Sequence, residues 1–120
     1  MGISVRNGSV AGMGRYGVLV GSQAEVTDLR VHWHRLGGIR TGFASAVFRN
    51  TASTHSGDGI PTRFDCLVQR NSVRANTGWG LDLAAGSAHR ENVIDANGLD
   101  TVNGGVDAGG NSCNAGTPCP

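Results

Sequence analysis

Lysine is absent from this 120-residue chain, and all ten of its basic residues are arginine. Schiff-base catalysis and a lysine general base are therefore excluded. The arginines are scattered from Arg6 to Arg90, and the formal net charge is only +1. We therefore expect neither a nucleic acid nor an anionic membrane surface as the main partner.

Long apolar runs are also missing. No stretch approaches the roughly 18 apolar residues that a membrane-spanning helix needs. The first ten residues, MGISVRNGSV, contain no apolar core of the signal-peptide kind, so the chain as given carries no export signal. The sequence indicates one domain with no cofactor.

What the chain does contain is a repeat of 21 residues. A glycine followed by an aliphatic residue recurs at this step, as Gly17-Val18, Gly38-Ile39, Gly59-Ile60 and Gly80-Leu81. Valine keeps the same step at Val5, Val26, Val47 and Val68. Because several columns repeat without insertion or deletion, the chain is a structural repeat protein.

Each repeat contains three short runs in which apolar and polar residues alternate, as in strands. Turn residues separate the runs and leave no room for a helix. One repeat cannot bury its own inward face, so successive repeats must stack about 4.8 Å apart. The sequence predicts an all-β parallel β-helix (solenoid) of about five rungs over residues 1–106. Residues 107–120, rich in Gly, Cys and Pro, then form a C-terminal cap or tail.

The segments VQRNSVRANTGWGLDL and VFRNTASTHSGDGIPT resemble the repeats of right-handed parallel β-helix proteins of the pectin-lyase-like superfamily. The resemblance implies a right-handed coil and a carbohydrate ligand. Its members include polysaccharide lyases, hydrolases and non-catalytic surface proteins. Two functions therefore stay open: a structural or carbohydrate-binding module, and a lyase or glycoside hydrolase acting on an acidic polysaccharide. The acidic calcium-binding cluster of pectate lyases and their long side loops are missing, which favours the module.

Three asparagines, Asn50, Asn71 and Asn92, occupy one column and are predicted to form an inward hydrogen-bonded ladder. Leu29 and Gly8 hold the same place in the earlier rungs, so the ladder should begin at the third rung. A second polar column is expected to face outward; it consists of His34, His55, Asn76 and Asn97. Cys66 shares an inward column with Ala24, Ser45 and Ser87.

Histidines supply the weak candidates for a metal site. His32, His34 and His55 are expected to project from one face of adjacent rungs, where a borderline metal could bind. No carboxylate or thiolate column joins them, so the sequence does not favour a metal site.

A shallow saccharide surface is the stronger hypothesis. Asp58, Trp79 and Asp100 occupy one column on successive rungs, and Arg40 and Asp82 lie in the column beside it. An indole can stack on a sugar ring while charged groups orient it. Asp58 and Asp100 would be about 9–10 Å apart, a separation used by inverting glycosidases. The alternative is that these are solvated turn residues.

The two ends of the coil suggest further features. A disulfide between Cys113 and Cys119 would close a short loop, secure a cap and indicate an extracytoplasmic or secreted protein.

At the N-terminus, Ser4 and Val5 enter a strand with no cap before them. We expect the first rung to pair with a second copy, giving a homo-oligomer, or the chain to be part of a longer one.

Overall fold

The computed structural model describes residues 2–114, and its secondary structure in this range consists of strands without a helix. No helix able to cross a membrane is therefore found among the described residues. Within residues 2–114, fifteen parallel strands form three columns around the coil.

The first column carries the outer face that is discussed below as a candidate site. It contains β2 (Tyr16–Leu19), β4 (Gly37–Arg40), β7 (Ile60–Thr62), β10 (Trp79–Leu83) and β13 (Asp100–Asn103).

The other two columns begin as continuous strands and separate higher in the coil. The long strands are β1 (Ser4–Ala11) and β3 (Glu25–His32). The second column continues as β5 (Ala46–Phe48), β8 (Leu67–Gln69), β11 (Ala88–Arg90) and β14 (Val106–Asp107). The third continues as β6 (Thr51–Ser53), β9 (Ser72–Arg74), β12 (Val93–Asp95) and β15 (Ser112–Cys113).

The strand register confirms the 21-residue repeat. Val5 pairs with Val26 and Val26 pairs with Val47, each 21 positions further along the chain. Near the end the step shortens, because Ala88 pairs with Val106. Parallel pairing continues past residue 106 as far as Cys113 in β15. The protein is a β-solenoid of about five turns, as the sequence predicts.

The core is a stack of aliphatic side chains that runs along the coil axis. Its fully buried members include Val26, Val31, Ile39, Val47, Ile60, Val68, Val73, Leu81 and Ile94. Each turn contributes a few side chains and rests on the turns above and below, so that stacking buries the apolar surface that one turn leaves open.

Three corners per turn have a left-handed backbone with positive φ. The residues at the three corners are Gln23, Ala44, Asp65 and Gly86; Asn7, Asp28, Arg49, Arg70 and Glu91; and Gly12, Trp33, Thr54, Ala75 and Ala96. This conformation costs about 1–2 kcal/mol for a non-glycine residue. It bends the chain sharply and interrupts the in–out alternation of the strand.

From the second turn onward, the residue after each of these left-handed corners turns inward, and these residues form ladders between turns. Asn50 donates from Nδ2 to Asn71 Oδ1 at 3.1 Å and to the Val26 carbonyl at 2.9 Å. The ladder begins where predicted, because the Leu29 N–H donates to Asn50 Oδ1. It continues through Asn92 to Asn111. A similar column of small side chains follows the corner that contains Asp65. Cys66 lies in this column between Ser45 and Ser87, and its N–H donates to Ser87 Oγ.

The predicted outward placement of His34, His55 and Asn76 is wrong. All three side chains are buried, each 2% exposed, and Asn97 is half-buried. Strict strand alternation would point them outward, but the left-handed residue before each one resets the alternation. They form a second inward ladder.

This second ladder explains the glycine column that defines the repeat. A Cβ on Gly38 would lie 2.9 Å from His55 Nε2, and one on Gly59 would lie 2.8 Å from Asn76 Nδ2. These glycines do not have a positive φ; they are needed because a Cβ would meet the ladder side chain together with a still closer neighbour, the Gly59 carbonyl oxygen for Gly38 and Val73 Cγ1 for Gly59.

Candidate functional site: an arginine-lined groove

A groove runs along the outer face of the first strand column. Its larger part has a volume of about 550 Å³. The large side chains that line this part, three of them arginines, are Arg15, Tyr16, Leu19, Arg40, Phe43 and Arg63. No carboxylate lines it, so this part of the groove is positively charged.

A smaller part of about 300 Å³ adjoins the first, and the two share Tyr16, Arg40 and Arg63. It adds the carboxyl groups of Asp58 and Asp82. Arg40 and Arg63 therefore lie between the carboxyl pair and the larger part of the groove, and Arg15 lines only the larger part.

Arg40 is held at the centre of the groove by Tyr16. The guanidinium Nη1 donates to the Tyr16 hydroxyl at 2.8 Å, and the guanidinium carbon lies 5.4 Å from the centre of the Tyr16 ring. Within residues 2–114, none of Arg15, Arg40 and Arg63 forms an ion pair. Their positive charge is therefore available to a ligand.

Asp58 and Asp82 interact directly. Burial raises the pKa of Asp58 above its usual value, and the neighbouring Asp82 raises it further by its charge and by a side-chain hydrogen bond. The Trp79 N–H, 2.7 Å from Asp58 Oδ1, opposes this shift because it favours the ionised form. Asp82 also accepts a hydrogen bond from Asn103 Nδ2 at 3.0 Å. The pair can share a proton and accept hydrogen bonds from hydroxyl groups.

Three of the five residues predicted for the saccharide surface thus meet in the groove: Arg40, Asp58 and Asp82. Trp79 and Asp100 pair in register on β10 and β13, but they do not line the groove. Trp79 is half-buried, and Asp100 is exposed, with its Oδ1 accepting the Thr101 N–H at 2.8 Å.

Sequence reasoning did not assign Arg15, Tyr16 or Phe43 to the site. Tyr16 could have been found, because it occupies the same repeat position as Asp58 and Trp79. Arg15 and Phe43 lie at turns, where their direction depends on the local backbone.

The three histidines do not meet around a common point. His34 and His55 use both ring nitrogens inside the ladder, while His32 is half-buried on β3. In the described part of the chain, no group of three or more His, Cys, Asp or Glu side chains could hold a metal ion.

The cysteines fall into two groups. Cys66 is a buried free thiol whose Sγ donates to the Gly42 carbonyl. Cys113 is buried in β15. Its predicted disulfide partner, Cys119, lies outside the described residues, so that bond stays a prediction.

Neither protein-family models, nor curated proteins, nor solved structures give a match to this chain. The fold and the groove together define the class of protein: a parallel β-solenoid with an open, charged groove on one face.

Proposed function

We propose that this β-solenoid is a non-catalytic binding module for acidic saccharides. The observation that carries the proposal is the convergence of three arginines without ion pairs, Arg15, Arg40 and Arg63, in one open groove. Guanidinium groups bind carboxylates and sulfates through paired hydrogen bonds, and none of these three forms an ion pair within residues 2–114.

The rest of the groove suits a polyhydroxylated chain. The rings of Tyr16 and Phe43 offer apolar surface to sugar faces. Asp58 and Asp82, at the far end, accept hydrogen bonds from sugar hydroxyls. A chain of several sugar units could then place an acidic unit at Arg40 and a neutral one at the carboxyl pair.

Membership of the pectin-lyase-like superfamily is part of the same proposal. It is supported by the 21-residue turns with three strands each and by the asparagine ladder. A right-handed coil would agree with this membership, and a left-handed coil would exclude it; a crystal structure of the protein is the test. An extracytoplasmic location follows from the proposal, since such polysaccharides lie outside the cytoplasm.

Calorimetric titration with an oligogalacturonate and with its fully methyl-esterified form tests the proposal. The acidic form should bind at least tenfold more tightly, and the difference should shrink at high salt. The double variant Arg40→Gln with Arg63→Gln should lose this preference. Arg74→Gln, an exposed arginine on β9, serves as the matched control. Equal binding of both saccharides, or an unchanged double variant, would contradict the proposal.

A catalytic role is the second candidate, and the raised pKa of Asp58 favours it. A carboxyl group that stays protonated longer than usual could act as a general acid. Release of reducing ends or unsaturated products that is abolished by Asp58→Asn would support an enzyme instead of a module.

Self-association through the first rung is a separate proposal. Among the described residues, β1 pairs only with β3, so its other edge has free backbone groups. A second copy could add a strand there. Sedimentation analysis should then show a dimer that Arg6→Pro disrupts, because the parallel register turns the Arg6 N–H away from β3 and towards the free edge, where proline cannot donate. A monomer over the whole concentration range would argue against it.

A further inference from the structure

Trp33 is anomalous among the corner residues. Its backbone has φ 61° and its side chain is 64% exposed. The same corner in the other turns is occupied by small residues: Gly12, Thr54, Ala75 and Ala96. An indole here adds nothing to the buried core, so neither the corner nor the core requires tryptophan.

The indole is nevertheless held in one orientation. The His32 ring meets it edge to face, with ring centroids 4.7 Å apart and planes at 74°. Such an edge-to-face contact stabilises the aromatic pair and limits rotation of the exposed ring. Trp33 is therefore an exposed flat surface in a fixed position.

A groove of about 360 Å³ lies beside this surface. Besides His32 and Trp33, its lining consists of Arg30, Thr51, Ser53 and Thr54. Strand register places Thr51 next to Arg30 and Ser53 next to His32. The donors and acceptors are thus spaced by the distance between strands, about 4.8 Å.

The chemistry of the groove selects the ligand. Three hydroxyl groups, a guanidinium and an imidazole surround a single aromatic ring, so an apolar protein segment would leave polar groups unpaired. A pyranose ring presents an apolar face to the indole and hydroxyl groups around its edge. We propose that Trp33 is the platform of a second saccharide site, on the third strand column and independent of the arginine-lined groove.

Intrinsic fluorescence can isolate this site, because the chain has only two tryptophans. In the Trp79→Phe background, Trp33 is the sole indole. Cellohexaose, xylohexaose and chitohexaose are titrated separately, with each variant shown to be folded by circular dichroism. At least one of these probes should shift and quench the Trp33 emission in a saturable way, since the indole passes from water to a sugar face.

A calorimetric comparison then assigns the binding to Trp33. Trp33→Ala should weaken binding of that probe at least tenfold, while Phe64→Ala, at a different corner and 46% exposed, should not change it. The Arg40→Gln, Arg63→Gln variant should retain the fluorescence response, which separates this site from the proposed function.

Three results would overturn the inference. The first is no response to any of the three saccharides at millimolar concentration. The second is unchanged affinity in Trp33→Ala. The third is a response to oligodeoxythymidylate without one to sugars, because base stacking on Trp33 would then explain the exposed indole.

Discussion

The imidazole of His55 accepts the backbone N–H of His34 through Nδ1 at 3.2 Å, and the two rings stack with centroids 5.0 Å apart. His55 Nε2 lies 3.0 Å from the Val31 carbonyl, to which it donates. One turn after His55, Asn76 accepts the His55 N–H through Oδ1 and donates to the Ala52 carbonyl through Nδ2. Histidine and asparagine thus fill the same place in one ladder, provided that the imidazole is neutral.

Acid should weaken the fold through this ladder. Burial lowers the pKa of His55 to about 4 and also lowers that of His34. Both folded-state values lie below the unfolded value near 6.5, so the unfolded chain binds more protons as the pH falls below it. The free energy of unfolding should fall by about 2 kcal/mol between about pH 7 and about pH 5, as measured by urea denaturation.

The double variant His34→Asn with His55→Asn is the matched control for this pH effect. It keeps the ladder geometry without a titrating group, so most of the decrease should disappear. A smaller decrease should remain from His89, whose pKa is also lowered by burial. If the double variant keeps the full decrease, these two histidines are not its cause.

Asn71→Ala should destabilise the protein by about 3 kcal/mol. The substitution leaves the Asn50 N–H without its acceptor and the Val47 carbonyl without its donor, both in the buried interior. Chemical denaturation measures the change. Asn103→Ala, which removes an exposed amide that contacts only Asp82, should lie within about 0.5 kcal/mol of the native chain. Equal effects of the two variants would show that the ladder does not stabilise the coil.

Gly59→Ala should be one of the most damaging single changes, at about 2–3 kcal/mol. The new Cβ would clash most closely with Val73 Cγ1 in the core, and it would also lie 2.8 Å from Asn76 Nδ2 and 2.8 Å from the Gly80 carbonyl oxygen. Gly21 provides the comparison, because a Cβ there meets nothing within 4 Å. A thermal melt should show a large decrease in Tm for Gly59→Ala and little change for Gly21→Ala. Similar Tm values for the two variants would refute the packing explanation for this glycine column.

Thr54→Asn should stabilise the protein by about 1 kcal/mol. Thr54 is exposed and β-branched, yet it has φ 61°, a conformation that asparagine tolerates better. Thr77 is also exposed but lacks a positive φ, so Thr77→Asn should have almost no effect. Differential scanning calorimetry compares the variants. No gain at position 54 would mean that the corner imposes little strain on threonine.

The repeat made most of the fold predictable from the sequence. Equal spacing of Gly17, Gly38 and Gly59 sets the length of a turn, and alternation within each turn identifies the strands. The Asn50 ladder was predictable because an asparagine repeated in register has few other uses in a coil. The direction of His34 was not predictable, since counting alternate residues fails across a left-handed corner such as Trp33.

The candidate site was predictable only in part, for the same reason. Arg40 and Asp82 lie within strands, where alternation gives their direction, and both line the groove. Asp58 precedes β7 and Trp79 begins β10, so both lie at the start of a strand. The tertiary structure places Asp58 in the groove and leaves Trp79 half-buried outside it.

By itself, the sequence determined the period, the strands and the stacking, because these depend on spacing along the chain. Only the tertiary structure decided which side chains each corner turns inward and which outer residues meet across turns. Those outcomes depend on the left-handed backbone at the corners and on contacts 21 residues apart, as between His34 and His55.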